Sequence, residues 1–190
     1  ISGIVGIIVT FYLIKWVKSQ ETGTPKMNEI YNAIREGSNA YLRRQYKTIL
    51  SVAAVLAIIL FAVFDLNHLT NPTPGVPFFP YTSLAFILGS GMSLLSGYIG
   101  MYTSTQANVR VTYAARTGIV KPIKIGFLGG LVTGLSVISF SLIGIWGLWE
   151  LYRYIIGFSN TYGRYALDLI FGYGFGASFA ALFAQVGGGI

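Results

Sequence analysis

The stretch IGFLGGLVTGLSVISFSLIGIWGLW, residues 125–149, carries no charged side chain. It is somewhat longer than the ~20 residues with which an α-helix crosses the hydrocarbon core of a bilayer. Because lipid offers no hydrogen-bond partners to backbone N–H and C=O groups, an apolar segment of this length crosses a membrane as a helix. The stretch therefore predicts a transmembrane helix.

The composition of the whole chain agrees with this prediction. Of the 190 residues, 54% are hydrophobic and 10% are charged, and the mean hydropathy is +0.64. A soluble domain of this composition would expose large apolar patches. The chain has no cysteine and one histidine, His68, which excludes a disulfide framework, a thiolate metal site and an imidazole cluster. We predict an integral membrane protein.

Four further apolar stretches extend the prediction to an all-α, polytopic helical bundle, with residues 1–190 forming a single membrane domain fragment. The approximate spans are 1–17, 41–64, 81–103, 125–149 and 166–186. An amphipathic approach helix precedes the second span, and Thr24 and Pro25 suit its cap and first turn. The segment NPTPGVPFFP, residues 71–80, holds four of the six prolines and predicts a loop.

The basic residues are distributed unevenly among the connections. Eleven of the 13 lie in two of them: Lys15, Lys18, Lys26, Arg35, Arg43, Arg44 and Lys47, then Arg110, Arg116, Lys121 and Lys124. The positive-inside rule therefore predicts an amino end outside and basic loops, with the carboxyl end, in the cytoplasm. The net charge of +7 reflects this topology. Nucleic acid is not expected as a partner, since that would require basic residues interleaved with aromatics on a soluble face.

Small residues recur at four-residue spacing within three of the spans. The rows are Gly126, Gly130 and Gly134; Gly89, Ser93 and Gly97; and Gly172, Gly176, Ala180 and Ala184. Such rows predict close helix packing, because small side chains let backbones approach where lipid gives no hydrophobic drive for association.

By contrast, no catalytic or metal-binding constellation is visible in the sequence. Glu29 and Glu36 favour a solvated or salt-bridged helix face over a metal site, so no metal ligand is predicted in this chain.

Four blocks of the sequence, taken together, are more informative about function than any single pattern. They are REGSNAYLRRQYKTI (35–49), LLSGYIGMYTSTQANVRVTYAART (94–117), GFLGGLVTGLSVISFSLIG (126–144) and ALFAQVGGGI (181–190). Together they resemble the amino-terminal part of the membrane-integral, ion-translocating inorganic pyrophosphatases. The second and fourth blocks are the distinctive ones.

The resemblance implies a fragment of a larger protein of about sixteen transmembrane helices that works as a homodimer. It also implies Mg2+-dependent hydrolysis of inorganic diphosphate, coupled to pumping of H+, Na+ or both out of the cytoplasm, with K+ as a possible further cofactor. The catalytic and metal-binding residues are expected after Ile190, so residues 1–190 alone are expected to hydrolyse no diphosphate. The choice of ion and the K+ requirement depend on those later helices.

The resemblance also assigns roles near the carboxyl end. Many family members carry an arginine before V-G-G-G, where this chain has Gln185, which can donate hydrogen bonds but brings neither charge nor a bidentate fork. A substrate-proximal Gln185 is one interpretation, and a plain polar residue at a helix end is the other. Gly187, Gly188 and Gly189 are expected to form the turn leading to the site.

Two other functions remain open from the residues alone. The packed helices would also suit a secondary transporter or channel subunit that performs no hydrolysis. They would equally suit a non-catalytic assembly subunit. An acidic and lysine-rich segment after Ile190 would favour the pump.

Overall fold

The computed structural model describes residues 1–72, 77–156 and 162–188, and these ranges contain helices and no strand. The helices are α1 (Ser2–Lys18), α2 (Pro25–Leu60), α3 (Leu66–Thr70), α4 (Tyr81–Ala114), α5 (Val120–Ile156) and α6 (Tyr162–Gly188). A π-helical turn, Phe61–Asp65, joins α2 to α3. The predicted all-α fold is confirmed.

The lengths of the helices agree with a membrane protein. Among the described residues, three segments are long and apolar enough to cross a bilayer: Pro25–His68, Tyr81–Ala114 and Val120–Ile156. Helix α1 has 17 residues, at the lower limit of ~17–25 for a spanning helix. The predicted spans fall on α1, α2 with its π-turn, α4, α5 and α6, while their exact limits in a bilayer stay a prediction.

Helix α2 begins where the sequence predicted. The hydroxyl of Thr24 accepts a hydrogen bond from the backbone N–H of Met27 at 3.4 Å, and Pro25 is the first helical residue. The cap satisfies one of the N–H groups that lack a helical partner, and proline suits the first turn because it has no N–H to leave unpaired.

The chain divides into two compact units, which α2, α4 and α5 each help to build. The first unit comprises Ile1–Gln45 and Leu95–Phe140, and the second comprises Tyr46–Leu94 and Ser141–Ile190. The core of the first unit is a cluster of Val17, Ala107, Ala114 and Ile125, against which Trp16 and Val111 pack.

A buried arginine ties the end of α1 to α4 in the first unit. Arg110 donates from Nε to the carbonyl oxygen of Gln20 at 3.1 Å and from Nη2 to that of Lys18 at 3.0 Å. Its Nη1 donates to the backbone and side-chain oxygens of Gln106 at 2.6 and 3.0 Å. Because the last carbonyls of a helix lack helical partners and carry partial negative charge, the guanidinium both satisfies and neutralises the end of α1.

A buried carboxylate caps α4 in the second unit. Asp65 accepts from the backbone N–H groups of Thr82 and Ser83, each at 3.0 Å, and from the Ser83 hydroxyl at 2.6 Å. Its negative charge lies at the amino end of α4, where the helix dipole stabilises it. The π-helical turn Phe61–Asp65 ends at this residue, and its hydrogen bonds join residues five apart rather than four, which changes the directions of its side chains relative to a continuous α-helix.

The second unit has two hydrophobic clusters. One consists of Tyr81, Ala85, Leu148, Tyr152, Ile156 and Tyr173. The other consists of Ile49, Ala53, Ala57, Phe86, Leu94, Phe179 and Ala180. The hydroxyl of Tyr152 donates to the carbonyl oxygen of Tyr81 at 2.6 Å, so the buried polar group in the first cluster is satisfied.

Helices α4 and α6 touch through their backbones. A Cβ placed on Gly176 would overlap the carbonyl oxygen of Phe86, and one on Gly172 would lie 2.9 Å from that of Thr82. Gly89 faces the α6 backbone equally closely. The packing role predicted for Gly89, Gly172 and Gly176 is confirmed.

The prediction for the row in α5 is wrong within the described part of the chain. A Cβ built on Gly130 or Gly134 would have no heavy atom within 4 Å. One built on Gly126 would have a single neighbour, a side-chain carbon of Val111 at 3.9 Å. Gly129 is the packed glycine instead, since its Cβ would lie 3.1 Å from that of Ala107. One residue turns a helix by ~100°, so the predicted row lies beside the packed face.

We predict that Gly176→Ala destabilises the full-length protein, because the new methyl group forces α6 away from α4. Overpacking of this kind costs about 1–3 kcal/mol. Gly174→Ala is the matched control on the same helix, since nothing lies within 4 Å of its added Cβ. Thermal melting in detergent measures both variants, and equal melting temperatures would contradict the backbone contact.

Candidate functional site

The carboxyl end of α6 carries the residue that the sequence placed near substrate. Phe179 and Ala180 are buried in the second hydrophobic cluster of the second unit, and Phe183 and Ala184 pack against it. The rings of Phe179 and Phe183 are 4.6 Å apart between centroids. Gln185, the next residue, is exposed. The turn of α6 that precedes Gln185 is therefore held by packing, and it fixes the position of the backbone at Gln185.

Gly187 and Gly188 continue the helix. Gly187 and Gly188 are the last residues of α6, so the turn predicted at 187–189 does not begin before Gly189. Gly189 and Ile190 lie outside the described residues. Glycine is common just past helix ends because it adopts the conformations that terminate a helix without steric cost.

A hydrogen bond adjoins the same cluster. The hydroxyl of Tyr46, in α2, donates to the carbonyl oxygen of Leu94, in α4, at 2.6 Å. Both residues pack in the cluster that holds Phe183 and Ala184. The bond links α2 and α4 within the second unit and thereby steadies the surface against which the end of α6 lies. Sequence analysis gave Tyr46 no role.

The acidic residues described here do not fit a magnesium cage. Within residues 1–72, 77–156 and 162–188, no three Asp, Glu or His side chains gather where they could hold a metal ion. Both oxygens of Asp65 bind the start of α4, and Glu150 pairs with Arg153 at 2.5 Å. Mg2+ requires several oxygen ligands in octahedral geometry. The described residues therefore supply no complete ligand set for a magnesium ion.

Cationic side chains cover the first unit. The exposed ones are Lys15, Lys18, Lys26, Arg35, Arg43, Arg44, Arg116, Lys121 and Lys124. Two of them lie over aromatic rings: the Lys18 ammonium is 4.8 Å from the Tyr102 ring centroid, and that of Lys124 is 5.6 Å from the Trp16 ring centroid. Such contacts hold the charges in place at partly exposed positions.

A cavity lies elsewhere in the second unit. It encloses about 770 Å3 and is lined by residues of the π-turn, α3 and the early part of α6, including Asp65, His68, Phe171 and Phe175. Gln185 is ten residues after Phe175, or ~15 Å along a helix. The cavity therefore does not belong to the candidate site.

Comparison with known proteins decides the family. Residues 4–190 match the family model described as inorganic H+ pyrophosphatase. The chain belongs to this family. The resemblance inferred from the four sequence blocks is confirmed.

Three relatives of this pyrophosphatase chain are informative. A "K(+)-insensitive pyrophosphate-energized proton pump" of Caldanaerobacter subterraneus subsp. tengcongensis is 42% identical over 188 residues, covering 98% of this chain and 26% of that protein. The "K(+)-insensitive pyrophosphate-energized proton pump 2" of Moorella thermoacetica is 42% identical over 188 residues, covering 99% of this chain and 25% of that protein. The "Pyrophosphate-energized membrane proton pump 3" of Arabidopsis thaliana is 37% identical over 195 residues, covering 98% and 24%.

The chain thus spans about a quarter of the length of these curated relatives.

Asp65 and Arg110, the two buried charges that organise the helix ends, were not identified by sequence analysis. The available signal for Asp65 was a lone carboxylate directly after an apolar stretch, and that for Arg110 was its place in the segment QANVR, residues 106–110, of the second distinctive block.

Proposed function

We propose that the protein to which this chain belongs hydrolyses inorganic diphosphate with Mg2+ and uses the energy to pump protons out of the cytoplasm. The observation that carries the proposal is the family match over residues 4–190. Relatives that align with nearly the whole chain are named pyrophosphate-energized proton pumps. These names favour H+ as the transported ion over Na+.

The same names favour activity without potassium. Two relatives at 42% identity, from different bacteria, are named K(+)-insensitive. We therefore expect diphosphate hydrolysis by this protein to be the same with and without K+. The alternatives of a secondary transporter, a channel subunit or an assembly subunit lose support, because the relatives are named as energised pumps.

The part of the pump described here acts as scaffold in this proposal. The family resemblance implies that residues beyond Ile190 hold the metal and most of the substrate, and the acidic residues described here form no magnesium cage. The residues of this chain fix helix positions through the glycine contacts of α4 and α6 and through the caps made by Asp65 and Arg110. The homodimer implied by the family resemblance is part of the proposal.

The orientation follows from the basic residues. Eleven of the 13 lie between Lys15 and Lys47, around the α1–α2 connection, or between Arg110 and Lys124, around the α4–α5 connection, which supports a cytoplasmic position for both connections. If each of the five long helices crosses once, the carboxyl end of α6 reaches the same side. The amino end of α1 and the loop after α3 are then outside.

Gln185 is our candidate for a substrate-proximal residue of this chain. It is exposed, it follows a packed helical turn, and it would lie on the cytoplasmic side. Its amide can donate hydrogen bonds to a phosphate oxygen or to water, whereas a carboxylate at this place would repel a polyanion.

We predict that the purified full-length protein releases phosphate from Mg-diphosphate and acidifies the lumen of inside-out vesicles. Equal rates with KCl and with choline chloride are expected, and residues 1–190 alone should release no phosphate. Phosphate release with a pH-sensitive dye in the lumen measures both activities. Hydrolysis without proton movement, or substrate turnover by residues 1–190 alone, would contradict the proposal.

For Gln185 we predict that Gln185→Glu raises the KM for Mg-diphosphate several-fold with a smaller change in kcat, because the added negative charge repels the substrate. Gln185→Arg should be tolerated. Steady-state kinetics across substrate concentration separates the two parameters. Gln185 is a plain helix-end residue if both variants keep the parent KM.

A further inference from the structure

The end of the α4–α5 connection and the start of α5 display large apolar side chains. Ile119, in the connection, is 76% exposed, and Val120, Ile123 and Phe127, in the first turns of α5, are 82%, 64% and 69% exposed. Connections outside the bilayer are ordinarily polar, because water solvates them. Four such side chains within nine residues of sequence form an apolar strip that the core cluster of this unit does not cover.

Cationic side chains adjoin this strip. Lys121 and Lys124 lie in the first turn of α5, and Arg116 precedes them, all exposed. No acidic residue occurs in the sequence between Asp65 and Glu150. In the described residues, the ion pair found is that of Arg153 with Glu150, so these three cations are not neutralised by a carboxylate of α4 or α5.

The end of α1 brings two more lysines to this place. The Lys124 ammonium lies 5.6 Å from the ring of Trp16, and Val17 shares a core cluster with Ile125. Lys15 and Lys18 flank Trp16 in the sequence and are exposed. The nearest acidic residue along this loop is Glu21, which is exposed and forms no ion pair in the described structure.

Trp16 and Tyr102 indicate where these lysines lie relative to the membrane surface. Trp16 lies under Lys124, and Tyr102 lies under Lys18. Amphipathic aromatic rings concentrate at the membrane interface, at the level of lipid headgroups. Lysines at this depth meet phosphates, while the apolar strip beside them meets the upper part of the acyl chains.

We propose that the start of α5 and the end of α1 form a binding site for an anionic phospholipid. Lys121 and Lys124, with Lys15 and Lys18, bind the headgroup phosphate and its negative charge, and Ile123 and Phe127 contact the acyl chain. Free phosphate or diphosphate shares the charge but not the acyl chain, so it would make no use of the strip. This inference uses the cytoplasmic orientation but not the hydrolytic activity.

The test measures lipid retained by the purified full-length protein. The protein is extracted from nanodiscs containing equal amounts of phosphatidylglycerol and phosphatidylcholine, and bound lipids are counted by native mass spectrometry. We expect the parent to retain phosphatidylglycerol preferentially and Lys121→Gln with Lys124→Gln to retain at least five-fold less. Lys121→Arg with Lys124→Arg should retain the parent amount, since arginine keeps the charge.

Two controls make the result specific. Lys26→Gln with Arg35→Gln removes the same charge from exposed positions on α2 and should leave lipid retention unchanged. Ile123→Ser with Phe127→Ser keeps every lysine and should lower retention. Equal loss in the α2 control would show general attraction to a basic surface, and complete displacement of the lipid by millimolar diphosphate would show a free-anion site. Either outcome would overturn the proposal.

Discussion

The direct contact between the backbones of α4 and α6 sets the architecture of the second unit. In a membrane, apolar side chains gain nothing by leaving lipid for one another, so helices associate through close van der Waals packing. Gly89, Gly172 and Gly176 allow that approach, because none of them has space for a Cβ. The aromatic residues further along α6, Phe179 and Phe183, then pack against a surface already in place.

Buried charges complement this packing at the helix ends. Asp65 binds the first N–H groups of α4, and Arg110, close to the other end of α4, binds the carbonyl oxygen of Lys18, the last residue of α1, and that of Gln20 just after it. Each charge meets the helix terminus of opposite partial charge, so its burial is compensated. Asp65 thus fixes the start of α4 within the second unit. Helix α4 also carries Arg110, which fixes the end of α1 within the first unit.

The sequence predicted the features that depend on length and local chemistry. Apolar stretches of membrane-spanning length predicted the helices, and Thr24 with Pro25 predicted the start of α2. Residue spacing was a weaker guide to packing, because a row of small residues does not reveal which face meets another helix. Gly129 packs where Gly126, Gly130 and Gly134 were expected to do so.

The site was less predictable for a physical reason. Asp65 and Arg110 act on residues that are distant in sequence, Ser83 at 18 positions and Lys18 at 92, and local patterns carry no such information. The possible role of Gln185 came from the family resemblance rather than from its neighbours. What the structure adds is the packed end of α6 that presents this side chain.

The central claim is that the end of α6 and the two basic connections lie on the cytoplasmic side. Side-specific labelling tests it directly, since this chain has no cysteine of its own. Gln185→Cys, Lys121→Cys and Asn71→Cys are made separately in a full-length protein without other cysteines. A membrane-impermeant maleimide is then applied to inside-out and right-side-out vesicles. The account predicts that Gln185→Cys and Lys121→Cys react only from the cytoplasmic side and Asn71→Cys only from outside. Labelling of Gln185→Cys from the side opposite to Lys121→Cys would contradict it.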